Sequence, residues 1–143
     1  MFLYNRLAKG QFEVGGAPVA LTDLRTPIFC LATETDHVSP STPVYRLHLP
    51  TDTDLTFCLT SAGHNSGVLS EPGHRNRRYR LLTKTEGERH IPAGTWIDRA
   101  EITKGSWWPA WTLWLEDHSD GTRPASKKKR RSLGQAPGSY VFG

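Results

Sequence analysis

The sequence predicts an α/β fold built on a strand–helix–strand crossover, and three observations carry that expectation. Two short apolar runs, residues 28–32 and Leu55–Thr60, do not alternate with polar residues, which is the pattern of strands covered on both faces. The segment between them has helical rather than alternating apolar spacing, with Val44, Leu47 and either Tyr45 or Leu49 on one side. Each apolar run is followed by a polar loop, and each loop holds a side chain suited to acid–base chemistry: Asp36 after the first and His64 after the second.

In chain order, residues 2–9 read as the tail of a helix stopped by Gly10. An apolar opening without a cap is what a chain cut from something larger would show. Gly15, Gly16, Ala17 and Pro18 mark a turn. The first strand follows at 28–32, then the polar loop from Thr33 to Pro40 and a short helix opening at Pro43. Asp52 and Asp54 flank a turn into the second strand, which leads to a glycine-bearing loop from Ser61 to Gly67. A crossover of this kind makes the two strands parallel. In open α/β sheets functional groups gather beyond the carboxyl ends of the strands, so Asp36 and His64 should meet at one edge.

Beyond Gly67 the texture changes. Residues 71–78 form a polar loop, and residues 79–83 a short strand or extended segment. Pro92 opens a turn into a short helix, and residues 105–115 form a better one, with Pro109 in its first turn and Trp107 or Trp108 near its cap. Trp111, Trp114 and Leu115 share a face by their spacing and should pack this helix over the sheet. The chain divides into residues 1–118 as the folded part, a basic flexible segment at 119–135, and an extended strap at 136–143. No internal repeat is present. Two strands covered on both faces cannot bury themselves, so these residues alone should form a poorly stable unit with an exposed sheet edge.

Charge excludes more than it suggests. The formal net charge of the 143 residues is +4, yet Lys127, Lys128, Lys129, Arg130 and Arg131 carry five positive charges in one run, leaving the remainder near neutral. A nucleic-acid groove needs basic residues spread over a folded face, and a single solvated run does not supply that. Cys30 and Cys58 sit inside the apolar runs without metal-ligand spacing, as small buried hydrophobes in a reducing compartment do. The first residues lack a signal-peptide pattern, and no apolar run reaches the roughly 20 residues needed to span a bilayer.

Asp followed by His, each after a parallel strand, is the order of the last two members of a nucleophile–acid–base triad. The carboxylate orients the imidazole, and the imidazole moves the nucleophile's proton. The nucleophile should precede both on a glycine-flanked turn between strand and helix. No such turn occurs: Cys30 and Cys58 are mid-strand, and Ser61 and Ser66 follow the Asp. A metal site from Asp36, His37 and His64 would lack a close-spaced ligand pair. His48, His74, His90 and His118 read as ordinary surface or supporting residues.

The stretches Thr33-Glu-Thr-Asp-His-Val-Ser-Pro40, Val44-Tyr-Arg-Leu-His-Leu49, Thr60-Ser-Ala-Gly-His-Asn-Ser-Gly-Val68 and Gly105-Ser-Trp-Trp-Pro-Ala-Trp111 resemble consecutive blocks of the polyhydroxyalkanoate (PHB-type) synthases. Asn5-Arg-Leu, Gly16-Ala-Pro-Val and Ala136-Pro-Gly-Ser-Tyr-Val141 resemble that family too, so the likeness leaves out only residues 120–135 or so. The resemblance implies the C-terminal portion of an α/β-hydrolase fold, with parallel strands, a crossover helix and a Trp-rich helix. It implies an acyltransferase that polymerises 3-hydroxyacyl-CoA into polyester with release of CoA, through a Cys–Asp–His triad. By position, Asp36 is then the triad carboxylate, activating the 3-hydroxyl, and His64 activates the cysteine, which lies outside this chain; His37 is a supporting residue. The chain alone would be inactive. No metal and no dissociable cofactor is implied. The implied partners are the CoA thioester, the polyester chain, the surface of a polymer granule in the cytoplasm, and a second synthase subunit or the N-terminal part of the synthase. One departure is Ser41, where the family often has Trp, which should loosen packing beside the Asp loop. The alternative reading is a non-catalytic truncated product associating with granules or with another synthase chain.

Overall fold

The computed structural model describes residues 3–125 and 134–142. The basic run at 127–131 lies outside the described residues.

Six strands and three α-helices make up the regular structure of the described residues: β1 (Phe12–Val14), β2 (Ala17–Val19), β3 (Ile28–Thr33), α1 (Ser41–Tyr45), β4 (Leu55–Thr60), β5 (Arg78–Lys84), α2 (Ala93–Arg99), β6 (Ile102–Lys104) and α3 (Trp108–Asp117). β1 and β2 form a hairpin closed by Gly15 and Gly16, both at positive φ (59° and 82°). A two-residue turn with both φ positive matches the twist of the strands it joins, and glycine adopts it without strain. Of residues 2–9, expected as a helix tail, the described residues 3–9 instead form turns that run to Gly10, whose φ is 63°.

The main sheet has the order β3-β4-β5-β6. β3 and β4 pair in parallel from Ile28↔Leu55 to Thr33↔Thr60, so the crossover through α1 forms as the sequence predicts. The sheet as a whole is mixed rather than parallel. β5 runs antiparallel to β4 and β6 antiparallel to β5. The connection from β4 to β5 holds no helix, and an antiparallel return requires none. β6 was not anticipated, because three residues of which Thr103 and Lys104 are polar give no apolar run to read. The expectation that both early strands are covered on both faces holds for β4, buried along its whole length, and fails for β3. β3 is the outer strand of this order, so only its last two residues are fully buried. With four strands, the sheet is wider than the two parallel strands foreseen, and the segment at residues 79–83, expected as a short strand or extended stretch, lies within β5.

The alternation of side chains along β4 sorts the core into two layers. Leu55, Phe57 and Leu59 face α1 and α2, where Tyr45, Trp96 and Ala100 are buried with them. Phe57 is the hub. Its ring stands edge-on to Tyr45 (5.0 Å, 87°) and to Trp96 (5.1 Å, 85°), the arrangement aromatic quadrupoles favour. His48, read from the sequence as a surface or supporting residue, is buried in this layer as well. Its ring lies 4.2 Å from that of Tyr45 and its Nδ1–H donates to the Tyr45 carbonyl at 2.9 Å. Burial lowers its pKa by disfavouring the imidazolium. Ser41 opens α1 beside a cavity of about 30 Å³ bordered by Tyr45, Phe57 and Trp96.

On the opposite face, Phe29 of β3 meets α3 through Trp107 (6.2 Å, stacked) and Trp114 (5.7 Å, edge-on). Trp111 and Leu115, expected to pack with Trp114, are exposed, and α3 buries none of its own residues. The buried indole belongs to Trp107, one residue before the helix. Tyr140–Phe142 form a single exposed 3-10 turn rather than an extended strap.

Candidate active site

Asp36 and His64 stand just past the paired ends of β3 and β4, where Thr33 lies opposite Thr60. Two backbone bonds continue the ladder into the loops: the Glu34 amide donates to the Thr60 carbonyl at 2.8 Å and the Thr35 amide to Ala62 at 3.1 Å. The loops are thereby stitched together, and His64 Nδ1 comes to 2.8 Å from Asp36 Oδ2. A carboxylate only accepts, so Nδ1 carries a proton, and in the neutral ring the lone pair is on Nε2.

The carboxylate is saturated. Oδ1 accepts from the Val38 and Ser39 amides at 2.8 Å each, closing a turn, while Oδ2 receives His64 and, at 3.5 Å, the Thr33 hydroxyl. The Ser39 amide above all, with His64 and the Val38 amide, holds the Asp36 pKa down at about 2 against the opposing effect of desolvation. The Asp36 side chain is 6% exposed and that of His64 is 44% exposed. An anchored, ionised carboxylate thus backs an imidazole that solvent or a ligand can reach.

The loop bearing His64 is held from behind. Ala62 takes a positive φ of 74°, a strained conformation for a residue with a Cβ. Gly67 has room for no side chain, since a Cβ there would stand 2.7 Å from Thr33 Cγ2 and 2.8 Å from the Ser61 carbonyl. The indole N–H groups of Trp107 and Trp108 donate to the consecutive carbonyls of Gly67 and Val68 at 3.1 and 3.0 Å. Ser106 Oγ donates to the Ser70 carbonyl. Sequence reasoning missed Thr33, Gly67, Trp107 and Trp108 as supports of this site. The Trp pair was visible, but its donors could equally have turned toward solvent or the core.

His37 is exposed and makes no hydrogen bond, ion pair or ring contact among the described residues. Cys58 is fully buried, and burial pushes its thiol up to about 12 and that of Cys30 upward too. Cys30 pairs with Phe57, three rungs before the strand ends and so roughly 10 Å from the loops at about 3.3 Å per residue. Among the described residues no group of three His, Cys, Asp or Glu could hold a metal ion. No described helix is long and apolar enough to cross a membrane.

No protein-family model matches the chain. It is 36% identical over 142 residues to the poly(3-hydroxyalkanoate) polymerase subunit PhaC of Rhizobium meliloti, with 98% of this chain and 23% of that protein aligned. It is 34% identical over 143 residues to the poly(3-hydroxyalkanoate) polymerase of Methylorubrum extorquens, covering 98% of this chain and 23% of that protein. It is 31% identical over 145 residues to subunit PhaC of Cupriavidus necator, covering 98% and 24%. The chain, over nearly its whole length, is therefore a homologue of the poly(3-hydroxyalkanoate) polymerases, and it spans about a quarter of the length of these relatives.

Proposed function

We propose that this chain supplies the acid–base pair of an α/β-hydrolase-type acyltransferase that polymerises 3-hydroxyacyl-CoA thioesters. The observation that carries the reading is the 2.8 Å contact of His64 Nδ1 with Asp36, which presents Nε2 as a base at the carboxyl edge of parallel strands. The similarity to poly(3-hydroxyalkanoate) polymerases supplies the substrate class.

The nucleophile in this reading is a cysteine thiol outside this chain, since Cys30 and Cys58 lie within strands and burial keeps their thiols protonated. His64 Nε2 takes the thiol proton, and the sulfur attacks the thioester carbonyl. The carbon–sulfur bond to CoA breaks as the acyl–enzyme bond forms, and the departing CoA thiolate takes the proton from His64. In the next step His64 accepts the proton of a 3-hydroxyl, whose oxygen attacks an acyl carbonyl to form the ester while a thiol leaves. Asp36 orients the ring and offsets the charge of the imidazolium. With its oxygens engaged and a pKa of about 2, it is too weak a base to take a hydroxyl proton itself, which favours His64 as the base for both steps. No metal and no dissociable cofactor enters this chemistry. His37, exposed beside Asp36, is assigned no step.

The test replaces the aligned segment of the Rhizobium meliloti polymerase with this chain and follows CoA release from 3-hydroxybutyryl-CoA. The chimera should turn over, and H64A should lower the rate by roughly a thousandfold or more, as loss of a triad base does. An H64A chimera as fast as its parent would refute the assignment.

A further inference from the structure

An ion pair stands at the root of the two loops and plays no part in the proposed acid–base chemistry. Thr33, Thr60 and Tyr79 make the last complete row of register partners across β3, β4 and β5. Backbone bonds carry the row one step further, to Glu34, Ser61 and Arg78. The Glu34 amide donates to the Thr60 carbonyl at 2.8 Å, and the Ser61 amide donates to the Arg78 carbonyl at 2.9 Å. The Arg78 amide in turn donates to Ser61 Oγ at 3.2 Å. Glu34 opens the loop of Asp36, and Ser61 opens the loop of His64.

The outer members of that extra row reach across the middle one. Arg78 Nη2 donates to Glu34 Oε2 at 2.7 Å, a short charge-assisted bond. Two strand spacings of about 4.8 Å separate the backbones it joins, a gap that only long side chains span. The strained φ of 74° at Ala62 lies directly after the bridged Ser61, and the Thr35 amide, directly after Glu34, donates to the Ala62 carbonyl at 3.1 Å. Backbone in such a conformation persists where its surroundings over-determine it, and here the determining contacts come from both flanking strands. The side chains of Arg78 and Glu34 are 50% and 26% exposed. A pair so exposed adds little to the stability of the whole fold, so its effect is confined to where the loops stand.

We propose that Glu34 and Arg78 are positioning residues for His64, a clasp that ties the exits of β3 and β4 to the entry of β5 and so keeps Nδ1 on Asp36. Neither residue touches the reacting atoms. They act through Ser61 and Ala62, which set the direction in which the chain leaves the sheet toward His64. The effect on turnover rests on the reading of His64 as the base, whereas the effect on the imidazole itself does not.

Nitrogen-15 NMR of the His64 ring in the 143-residue chain tests the clasp, because it reads which nitrogen carries the proton in the neutral form. A ring released from Asp36 returns to the Nε2–H form that neutral histidine prefers in water. E34A and R78M should each lower the Nδ1–H fraction at least twofold and leave the urea midpoint unchanged. E34A/R78M should lower it no further than either single variant, since each residue acts only through the other. K104Q, which removes a cation from the register partner of Arg78, should leave the fraction as it is. An unchanged fraction in the single variants overturns the proposal, as do losses that add in the double variant, that K104Q reproduces or that follow a lowered urea midpoint. In the polymerase chimera E34A should lower kcat about tenfold with KM for 3-hydroxybutyryl-CoA within about twofold, the mark of a misplaced base rather than of weakened binding. A shifted tautomer with unchanged kcat would uphold the clasp and refute His64 as the base; an unshifted tautomer in a chimera that H64A disables would do the opposite.

Discussion

Trp107 donates its indole N–H to the carbonyl of Gly67 across 40 positions of sequence, and with that bond the C-terminal helix reaches back to brace the loop of His64. Because Trp107 is buried, its replacement by Phe keeps the ring packing on Phe29 but leaves the Gly67 carbonyl without this donor. A buried polar group left unpaired costs about 1–3 kcal/mol, so W107F should lower the urea midpoint accordingly and speed amide exchange at residues 63–67. W111F, at an exposed indole, should shift stability by less than about 0.5 kcal/mol. Equal effects from the two variants would show that the brace adds nothing.

Gly67→Ala should be costly although alanine is the smallest side chain available. Its Cβ would meet Thr33 Cγ2 at 2.7 Å and the Ser61 carbonyl at 2.8 Å, between two strands that cannot easily part. Overpacking of this kind costs roughly 1–3 kcal/mol. Thr33→Ser removes the methyl and should return part of that loss in the double variant, measured by denaturant unfolding. No recovery would mean that the contact with Thr33 is not what the alanine strains.

The pH dependence of the Asp36 contact follows from its lowered pKa. A carboxyl at about 2 in the folded chain, against an ordinary value of 3.8, contributes stability that is fully present above about pH 4. That contribution falls away as the pH drops through about 2. Carbon-13 NMR of the Asp36 carboxyl should therefore show it ionised at pH 3.5, whereas D36N should abolish this part of the acid sensitivity. A midpoint near 4 would remove the case for Asp36 as a saturated orienting carboxylate.

Both cysteines should resist alkylation in the native chain. Cys58 has a thiol pushed up to about 12 and no exposed surface, and Cys30 is raised in the same direction. At pH 8 only a small fraction of either is thiolate, so iodoacetamide should label them far more slowly than in urea-unfolded chain. Rapid native labelling of Cys30 would reopen it as a nucleophile.

The crossover was legible in the sequence because apolar runs and the residues flanking them are local facts. Residues 28–32 and Leu55–Thr60 form the strands, α1 stands between them, and the loops after both carry Asp36 and His64 to one edge. That β5 turns back antiparallel, that β3 is the sheet's outer strand and that His48 lies in the core are decided by what covers each segment, and periodicity holds no record of that. The site divides in the same way. Residue type and order singled out Asp36 and His64, since only such groups move protons in the required sense. The tautomer of His64, the saturation of Asp36, the brace from Trp107 and Trp108, and the pairing of Glu34 with Arg78 arise from contacts between residues distant or differently oriented along the chain. Sequence determined which chemistry was available; the register of neighbouring strands decided which atoms meet, because a hydrogen bond depends on positions to within a few tenths of an ångström and these exist only once the sheet has formed.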